Sequence, residues 1–396
     1  MSKKIASEKR LEKSIERIEK VFNWVANDGF AVADKKKKKG VDPTTREDYE
    51  QKTMHFMKKY YEIYKEPDIT KIDIENGNKL MKELYGKNAY SIQHQVHAIH
   101  FFQEAAVKSQ VFKESVSLID KKEMLGYCRE NKLVRKAEDS TTLKATHEQI
   151  DRVVEELHKS KSPFKEQAIQ VLEMGRHFGT RISGALAMTG KDITVRSEEA
   201  SLHIFEKGKH HRWVDIDQET AVRYAESLKD SLDDNQGRYL IKPLRYTTGD
   251  HRGQIMDNRT SGQRLAHVIE EAAERAGVNT DEKSFSAHSC RGTFTQDRIN
   301  HYANKSLDHL VHTDLRKKIE KNNDLQKELA EQGFKITDIE SKMATLVHRI
   351  NHVNATTRRT TEDREANHKE LCLFLASLDT GHYRTDVIRF YGKYLG

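Results

Sequence analysis

Residues 380–396 read T-G-H-Y-R-T-D-V-I-R-F-Y-G-K-Y-L-G and place Tyr391 nine positions after His382. A tyrosine near a chain end is usually a half-buried surface aromatic. Residues nine positions apart do not share one face of a straight helix. A turn between two short helices is therefore expected in this segment.

Two upstream segments favour a chemical role for Tyr391. The segment S-A-H-S-C-R-G-T-F contains His288 and Arg291, which a helix displays on one face because they are three positions apart. The segment F-G-T-R-I-S-G-A-L contains Arg181. Two arginines, two histidines, a lysine and a tyrosine could together hold a phosphodiester and attack it with a phenol.

The composition is that of a polar chain that can still form ordinary hydrophobic cores. With 396 residues, 36% of them hydrophobic, the chain is expected to form two or three domains. Its mean hydropathy is −0.83. Lys and Arg number 69 against 62 Asp and Glu, and the net charge of +7 permits nucleic-acid binding without requiring it.

The cysteines and the N-terminus indicate a cytoplasmic protein. Cys128, Cys290 and Cys372 lie far apart and form no C-x-x-C pair, so neither a disulfide framework nor a zinc site is expected. The first residues contain no apolar run typical of a signal peptide, and no stretch reaches the length of a membrane-spanning helix.

The N-terminal third is predicted to be helical. Residues 1–42 are expected to form a helix and a basic tether, in which the lysines at 35–39 are either a solvated linker or a phosphate-contacting arm. Residues 43–118 are predicted to form a compact helical domain, and residues 119–145 a basic linker. The apolar positions of the first helix alternate spacings of four and three: Leu11, Ile15, Ile18, Phe22 and Val25.

Three histidines recur at every third position of one predicted helix. His94, His97 and His100 could suggest a metal site, but no carboxylate or cysteine completes the ligand set. Histidines in the core or on the surface are the favoured interpretation.

Residues 146–396 are predicted to form an α+β domain, so the fold class is mainly α with a small antiparallel β-sheet. Strands are expected at 201–205 and 212–216, with Lys207 and Lys209 in the turn between them. The predicted helices are 147–159, 165–177, 218–230, 261–276 and one from His288 to about Tyr302.

A heptad-like segment is predicted to interrupt this domain at about 303–368. Its seam positions, all apolar except Gln332, step by three and four: Leu329, Gln332, Ile336, Ile339, Met343, Leu346, Ile350 and Val353. This spacing indicates a coiled coil or a helical hairpin over 310–354. A continuous helix of that length would extend roughly 65 Å.

The chemistry of the candidate residues suits a phosphodiester. Cleaving one without a metal requires fixed positive charge, a nucleophile and an acid. Arginine suits the clamp because its planar fork donates two hydrogen bonds and stays charged. A tyrosine nucleophile divides one hard step into two reversible ones and retains the bond as a phosphotyrosine ester.

Four motifs together resemble the tyrosine recombinase (phage integrase) family. F-G-T-R-I-S-G-A-L-A-M-T-G-K-D-I resembles the family's first box around Arg181, and E-K-G-K-H-H-R-W-V-D its lysine hairpin, with Lys207 favoured over Lys209. H-S-C-R-G-T-F resembles the H-x-x-R box, and T-G-H followed by Tyr391 the last box. The helical region 43–118 is similar, more loosely, to the family's SAM-like core-binding domain.

The resemblance implies a role for each residue. Tyr391 would attack the scissile phosphate and leave a 3′-phosphotyrosine and a free 5′-hydroxyl. Arg181 and Arg291 would clamp the nonbridging oxygens, and Lys207 would protonate the leaving oxygen. Two histidines would assist: His288 as acid, base or donor, and His382 in orienting the phosphate. No metal and no other cofactor is implied.

The implied protein is a site-specific DNA recombinase that acts on double-stranded DNA as a homo-tetramer, with an accessory DNA-bending protein as a further partner. Integration or excision of a mobile element is favoured over resolution or inversion, because the chain carries extra segments. A cytoplasmic, nucleoid-associated location follows. Two alternatives stay open: a type IB topoisomerase, and an inactive DNA-binding architectural protein.

Three departures from the family pattern are visible. Gly184 replaces an acidic residue of the first box, and Gly292 replaces the usual second histidine. His382 follows Arg291 by 91 positions, a much longer spacing than the family's, and the heptad segment fills the excess. Relatives exchange a C-terminal helix between subunits, whereas five residues follow Tyr391 here, so the insertion is expected to supply part of that contact. The alternative is a self-packed surface hairpin.

Overall fold

The computed structural model describes residues 2–28, 41–86, 89–133, 140–196, 198–205, 211–231, 238–321, 326–327, 367–382 and 385–395. The chain divides into two compact units, residues 1–136 and 137–396. Across the described ranges the fold is mainly α-helical with a small antiparallel sheet, which confirms the predicted fold class.

The N-terminal unit is helical throughout its described part. Its helices are α1 (Ser2–Asp28), α2 (Pro43–Tyr64), α3 (Ile74–Tyr85), α4 (Ala89–Ser109) and α5 (Lys121–Glu130). Local sequence sets where they begin: the Asp42 side chain accepts hydrogen bonds from the N–H groups of Thr44 and Thr45 at the start of α2. Asp73 and Asp120 cap α3 and α5 in the same way.

Helix α1 belongs to the core of this unit. Ile18 and Phe22 are buried in one cluster with Phe56 of α2 and Phe102 of α4. The rings of Phe22 and Phe102 stack with centroids 6.0 Å apart. The helix predicted at the N-terminus is confirmed, but it packs with the helices that follow rather than standing apart from them. The lysines at 35–39 lie outside the described residues.

The predicted linker at 119–145 differs from the structure. Its first part forms α5, and Met124 and Cys128 of that helix are buried in the same core as α1 to α4. Charged residues dominate the sequence of α5, yet two apolar side chains four positions apart suffice to hold one face of a helix against a core. The N-terminal unit therefore extends beyond residue 118.

The histidines of α4 make local polar contacts. His94 Nε2 lies 3.2 Å from Asp48 Oδ2, and His100 Nε2 lies 3.4 Å from Glu104 Oε1. Burial lowers the pKa of both imidazoles. In the described part of the chain, no cluster of three or more His, Cys, Asp or Glu side chains is arranged to hold a metal ion.

The C-terminal unit combines a longer set of helices with the sheet. The helices are α6 (His147–Lys159), α7 (Lys165–Phe178), α8 (Ile182–Ala187), α9 (Glu219–Asp230), α10 (Asn258–Arg275), α11 (Ala287–Ala303), α12 (Leu307–His309), α13 (Arg316–Lys321) and α14 (His368–Asp379). A π-helical turn at Leu310–Leu315 joins α12 to α13, and a 3₁₀ helix spans Thr385–Phe390. No helix within the described ranges combines the length and apolar character needed to span a membrane.

The sheet has the order β1 (Ile193–Arg196), β2 (Glu199–Phe205) and β3 (His211–Ile216), with antiparallel neighbours. Leu202 of β2 pairs with Ile193 on one side and Val214 on the other, and all three side chains are buried. The predicted strands correspond to β2 and β3. Strand β1 was missed, although its alternation of apolar and polar residues is typical of a half-buried strand.

The C-terminal end of α11 packs in a second hydrophobic core. Ile299 and Tyr302 are buried together with Leu310, Leu315 and Ile319, which come from the segment after α11. The same cluster contains apolar residues of α14: Leu371, Cys372, Phe374, Leu375, Ala376 and Leu378.

This packing concerns the first part of the predicted insertion. Within residues 303–321, Leu310, Leu315 and Ile319 bury their side chains against α11 and α14. Their spacing of four and five positions serves a local core rather than a coiled coil. The heptad residues from Leu329 to Val353 lie outside the described residues.

Candidate active site

Helix α11 carries two of the predicted site residues. The N–H of Ser286 donates to Ser289 Oγ at 3.1 Å, which fixes the start of the helix. His288 is half-buried in the first turn, and Arg291 lies one turn further on and is fully buried. Both side chains are therefore presented from one rigid element.

Helix α14 ends in a Schellman motif that positions His382. The N–H of His382 donates to the carbonyl of Ser377 at 2.9 Å, and the N–H of Gly381 to that of Leu378 at 3.0 Å. Gly381 adopts φ +67°, a left-handed conformation that favours glycine. The chain thus turns sharply after α14, and His382 is the residue that closes this turn.

Tyr391 follows the 3₁₀ helix Thr385–Phe390, so a turn and a second short helix separate it from His382, as predicted. Its hydroxyl oxygen lies 3.0 Å from His288 Nε2. The ring centroids of Tyr391 and His382 are 5.3 Å apart. The guanidinium carbon of Arg291 lies 6.0 Å from the centre of the Tyr391 ring. Four of the six predicted residues are therefore brought together.

Arg291 joins two loops of the site. Its two terminal nitrogens donate to the backbone carbonyls of Gly179, just after α7, and of Thr380, just after α14. Helix C-termini carry partial negative charge, so both loops favour a guanidinium between them. The fixed charge of Arg291 is thereby held beside Tyr391.

The remaining two predicted residues are placed less completely. Arg181 follows Gly179 and Thr180 and is the N-cap residue of α8, and it is half-buried. The backbone of this segment is therefore adjacent to Arg291 through the Gly179 carbonyl. Lys207 and its alternative Lys209 lie outside the described residues, between β2 and β3 in the sequence.

Sequence reasoning missed Arg212, which is almost fully buried on β3. One terminal nitrogen donates to the carbonyls of Phe178, at 3.1 Å, and Asp379, and the other to that of Gly179 at 2.9 Å. Arg212 therefore connects β3 to the same two loops as Arg291. The alternation that points Val214 inward also points Arg212 inward, so the strand pattern contained this signal.

Cys290 lies between His288 and Arg291 in sequence but offers no second nucleophile. It is fully buried, and that burial raises the pKa of its thiol far above the ordinary value. Since the thiolate is the reactive form, Cys290 is a packing residue here.

Glycine is required at the loop before Arg181, and Gly179→Ala should show this. Gly179 adopts φ +62°, and a Cβ there would lie 2.3 Å from Phe294 Cδ1. The strained backbone and the collision should lower the free energy of unfolding by about 2–4 kcal/mol. Urea unfolding followed by circular dichroism would measure it.

Gly292→Ala is the matched control for that substitution. Among the described residues, a Cβ at Gly292 would meet only the Tyr391 carbonyl, at an ordinary 3.8 Å. Alanine in the middle of α11 should leave the free energy of unfolding unchanged or raise it by up to about 1 kcal/mol. Equal losses for the two variants would contradict the required left-handed turn at Gly179.

A family model matches the part of the chain that contains four of the predicted site residues. Residues 144–312 match the model of the phage integrase family. This segment extends from the start of α6 into the π-helical turn and contains Arg181, Lys207, His288 and Arg291. Residues 144–312 thus have the sequence features of the phage integrase family, and the predicted class of enzyme, a tyrosine-type site-specific DNA recombinase, is confirmed.

Similarity to solved structures is low in identity, and the TM-scores are below 0.5. XerH site-specific recombinase bound to palindromic difH substrate, in a post-cleavage complex, is 14% identical over 83% of this chain and 96% of that chain, with a TM-score of 0.46. A lambda integrase dimer bound to a COC′ core site is 12% identical over 69% and 87%, with a TM-score of 0.44. The integrase from mycobacterium phage Brujita is 14% identical over 81% and 90%, with a TM-score of 0.28. No curated protein matches the chain in sequence.

Proposed function

We propose that this recombinase cleaves DNA with Tyr391 and rejoins the strands of two duplexes through a 3′-phosphotyrosine intermediate. The Tyr391 oxygen attacks the scissile phosphorus, and the bond from phosphorus to the 5′ oxygen breaks. Attack by the 5′-hydroxyl of a partner strand then reverses the step on new DNA. The phosphodiester count is conserved, so no external energy source is required.

The proposed proton transfers follow from the contact between Tyr391 and His288. With Nε2 unprotonated, His288 accepts the phenol proton as Tyr391 attacks, since the two atoms are 3.0 Å apart. Lys207 donates a proton to the leaving 5′ oxygen. Arg291 and Arg181 neutralise the nonbridging oxygens, and His382, packed against the Tyr391 ring, orients the phosphate.

The observation that carries this proposal is the assembly of Tyr391, His288, His382 and Arg291 from three segments of the chain. The test is incubation of the purified protein with a nicked duplex from its own element ends, in the presence of EDTA. A covalent complex that resists denaturant, with the nucleotide mapped by mass spectrometry to Tyr391, is expected. DNA binding without any covalent complex would instead support the architectural alternative.

The proposed assembly is a homo-tetramer on two duplexes, with integration or excision of a mobile element as the reaction. A type IB topoisomerase would relax supercoiled plasmid without joining two duplexes. Mass measurement of complexes formed with two differently labelled duplexes distinguishes these cases. Only the recombinase should bring both labels into one particle. Nucleoid association in cells would follow from the same DNA binding.

The predicted role of the insertion leads to a deletion experiment whose boundaries the fold sets. Replacing 329–353 with a short linker should leave strand cleavage intact and impair the pairing of two duplexes, if the insertion supplies subunit contact. The segment 310–321 must stay because its apolar side chains belong to the core. Deletion of 310–354 is the contrasting variant, and it should lower the melting temperature markedly. Unchanged duplex pairing in the shorter deletion would favour the self-packed hairpin.

A further inference from the structure

Asp379, the last residue of α14, is a fully buried carboxylate that the chemistry above does not use. Its Oδ2 accepts hydrogen bonds from Arg298 Nε and from the Tyr302 hydroxyl, both at 2.7 Å. Its Oδ1 accepts from Lys318 Nζ. Two of these donors come from α11 and one from α13, so three helices meet at a single side chain.

Packing alone does not explain a charge at this position. The preceding buried residues of α14 are mostly apolar, and a carboxylate at a helix C-terminus faces the negative end of the helix dipole. Burial by itself would raise the pKa of Asp379, but the charges of Lys318 and Arg298 hold that pKa well below its usual range. A buried ion network is often no more stabilising than apolar side chains, so another role has to be considered.

The backbone of Asp379 leads directly into the active site. Its carbonyl accepts a hydrogen bond from Arg212, and the carbonyl of the next residue, Thr380, accepts one from Arg291. Two residues later the Schellman turn delivers His382. Contacts that hold the Asp379 side chain therefore also hold the end of α14. They thereby position the Thr380 carbonyl, which accepts from Arg291, and the His382 side chain.

Lys318 brings α13 into this arrangement. Its Nζ contacts the Trp213 carbonyl of β3 at 3.4 Å as well as Asp379. Neighbouring lysines tie the same helix to the sheet, with Lys321 Nζ 3.0 Å from Asp215 Oδ2. Helix α13 precedes the predicted heptad segment in the sequence, and it contacts β3, one of the two strands between which Lys207 lies in the sequence.

We propose that Lys318 and Asp379 are positioning residues for strand cleavage, which couple α13 to His382 through the end of α14. This inference rests on the proposed function of Tyr391. A displacement of α13 would remove the cation from a buried carboxylate, and the end of α14 would shift to recover a partner. The active site would thereby sense the state of the segment that leads toward the insertion.

Lys318→Met tests the coupling, because methionine keeps much of the side-chain volume and removes the charge. The rate of covalent complex formation on a nicked duplex should fall about tenfold with DNA affinity unchanged. Lys318→Arg should restore most of the rate. Lys317→Met is the matched control: its ammonium lies on the same helix, 3.4 Å from Glu199, outside the Asp379 network. It should cleave at the wild-type rate.

A double-mutant comparison separates positioning from simple loss of stability. If Lys318 acts through His382, then Lys318→Met should reduce the rate much less in a His382→Ala background than in the wild type. A purely structural role would give the same fold-reduction in both backgrounds and would overturn the proposal. All rates would be measured well below the melting temperature of each variant.

Tyr302→Phe provides a second route should Lys318→Met fail to fold. It removes one donor to Asp379 and keeps the ring in place, and a reduction of about threefold is expected. Wild-type rates in both Lys318→Met and Tyr302→Phe would also overturn the proposal. Absence of a covalent complex in the wild-type protein would instead refute the proposed function, so the two failures are distinguishable.

Discussion

Tyr391→Phe is expected to abolish the covalent protein–DNA complex and to leave DNA affinity unchanged. Phenylalanine keeps the ring that packs beside His382, at a centroid distance of 5.3 Å, and His288, at 5.2 Å. It removes only the hydroxyl that contacts His288 Nε2. Loss of a covalent nucleophile should slow cleavage by more than about 10⁴-fold. A time course of denaturant-resistant complex on a nicked duplex would measure it.

Tyr394→Phe is a closely matched control. The Tyr394 hydroxyl lies 2.9 Å from His368 Nδ1, so the same substitution removes the same kind of contact three residues away. Each loss of a hydroxyl should cost about 0.5–1.5 kcal/mol of stability. Tyr394→Phe should nevertheless form the covalent complex at close to the wild-type rate. Persistent complex in Tyr391→Phe would mean that another residue is the nucleophile.

The Tyr391→Phe variant also tests whether Tyr391 cleaves DNA bound by its own subunit. Gln296 of α11 exchanges two hydrogen bonds with the backbone of Lys393, both at 2.8 Å, which holds the segment after Tyr391 on its own chain. We therefore expect cleavage in cis. A mixture of Tyr391→Phe subunits with Arg291→Lys subunits should then cleave no faster than the Arg291→Lys subunits do alone. Recovery of cleavage in the mixture would require a tyrosine delivered by the neighbouring subunit.

Local sequence patterns predicted most of the helices because their periodicity reports burial directly. The stripe of Ile18, Phe22 and Val25 forms the buried face of α1, and all three are almost inaccessible. The same reasoning failed for α5, where two buried residues among many charges were too weak a pattern. It did not predict the packing partners of Leu310 and Ile319, since spacing cannot reveal whether an apolar face packs on its own domain or on another helix of an insertion.

Motif spacing predicted which residues meet at Tyr391, but it could not predict what holds them there. His288 and Arg291 share a helical turn, which is a local property. The contacts of Arg212 with Gly179 and Asp379 join positions 33 and 167 residues apart in the sequence. Such pairs depend on the tertiary fold, and no short pattern encodes them. Likewise, the sequence did not show that Asp379 is paired with Arg298 and Lys318, because these partners lie 81 and 61 positions away.

Arg291→Lys is expected to reduce strand cleavage by about 10²–10³-fold, the usual cost of removing one fixed charge-stabilising group from an active site. Arg291 is fully buried, and its two terminal nitrogens reach the Gly179 and Thr380 carbonyls at once. Lysine keeps the charge but has one nitrogen, so it cannot bridge both carbonyls and also present a planar fork to a phosphate. One of the two carbonyls loses its hydrogen bond from residue 291, although the Gly179 carbonyl keeps the one from Arg212, so the free energy of unfolding should fall by about 0.5–1.5 kcal/mol.

A modified substrate can separate the effect of Arg291→Lys on stability from its effect on the rate of strand cleavage. Arg223→Lys, on the exposed face of α9, is the control for the substitution itself and should change neither property. A duplex with a neutral methylphosphonate at the scissile position lacks the charge that Arg291 is proposed to neutralise. The deficit of Arg291→Lys relative to wild type should therefore shrink on that substrate. An equal deficit on both duplexes would mean that Arg291 acts only by holding the two loops together, and the clamp would then have to be assigned to Arg181.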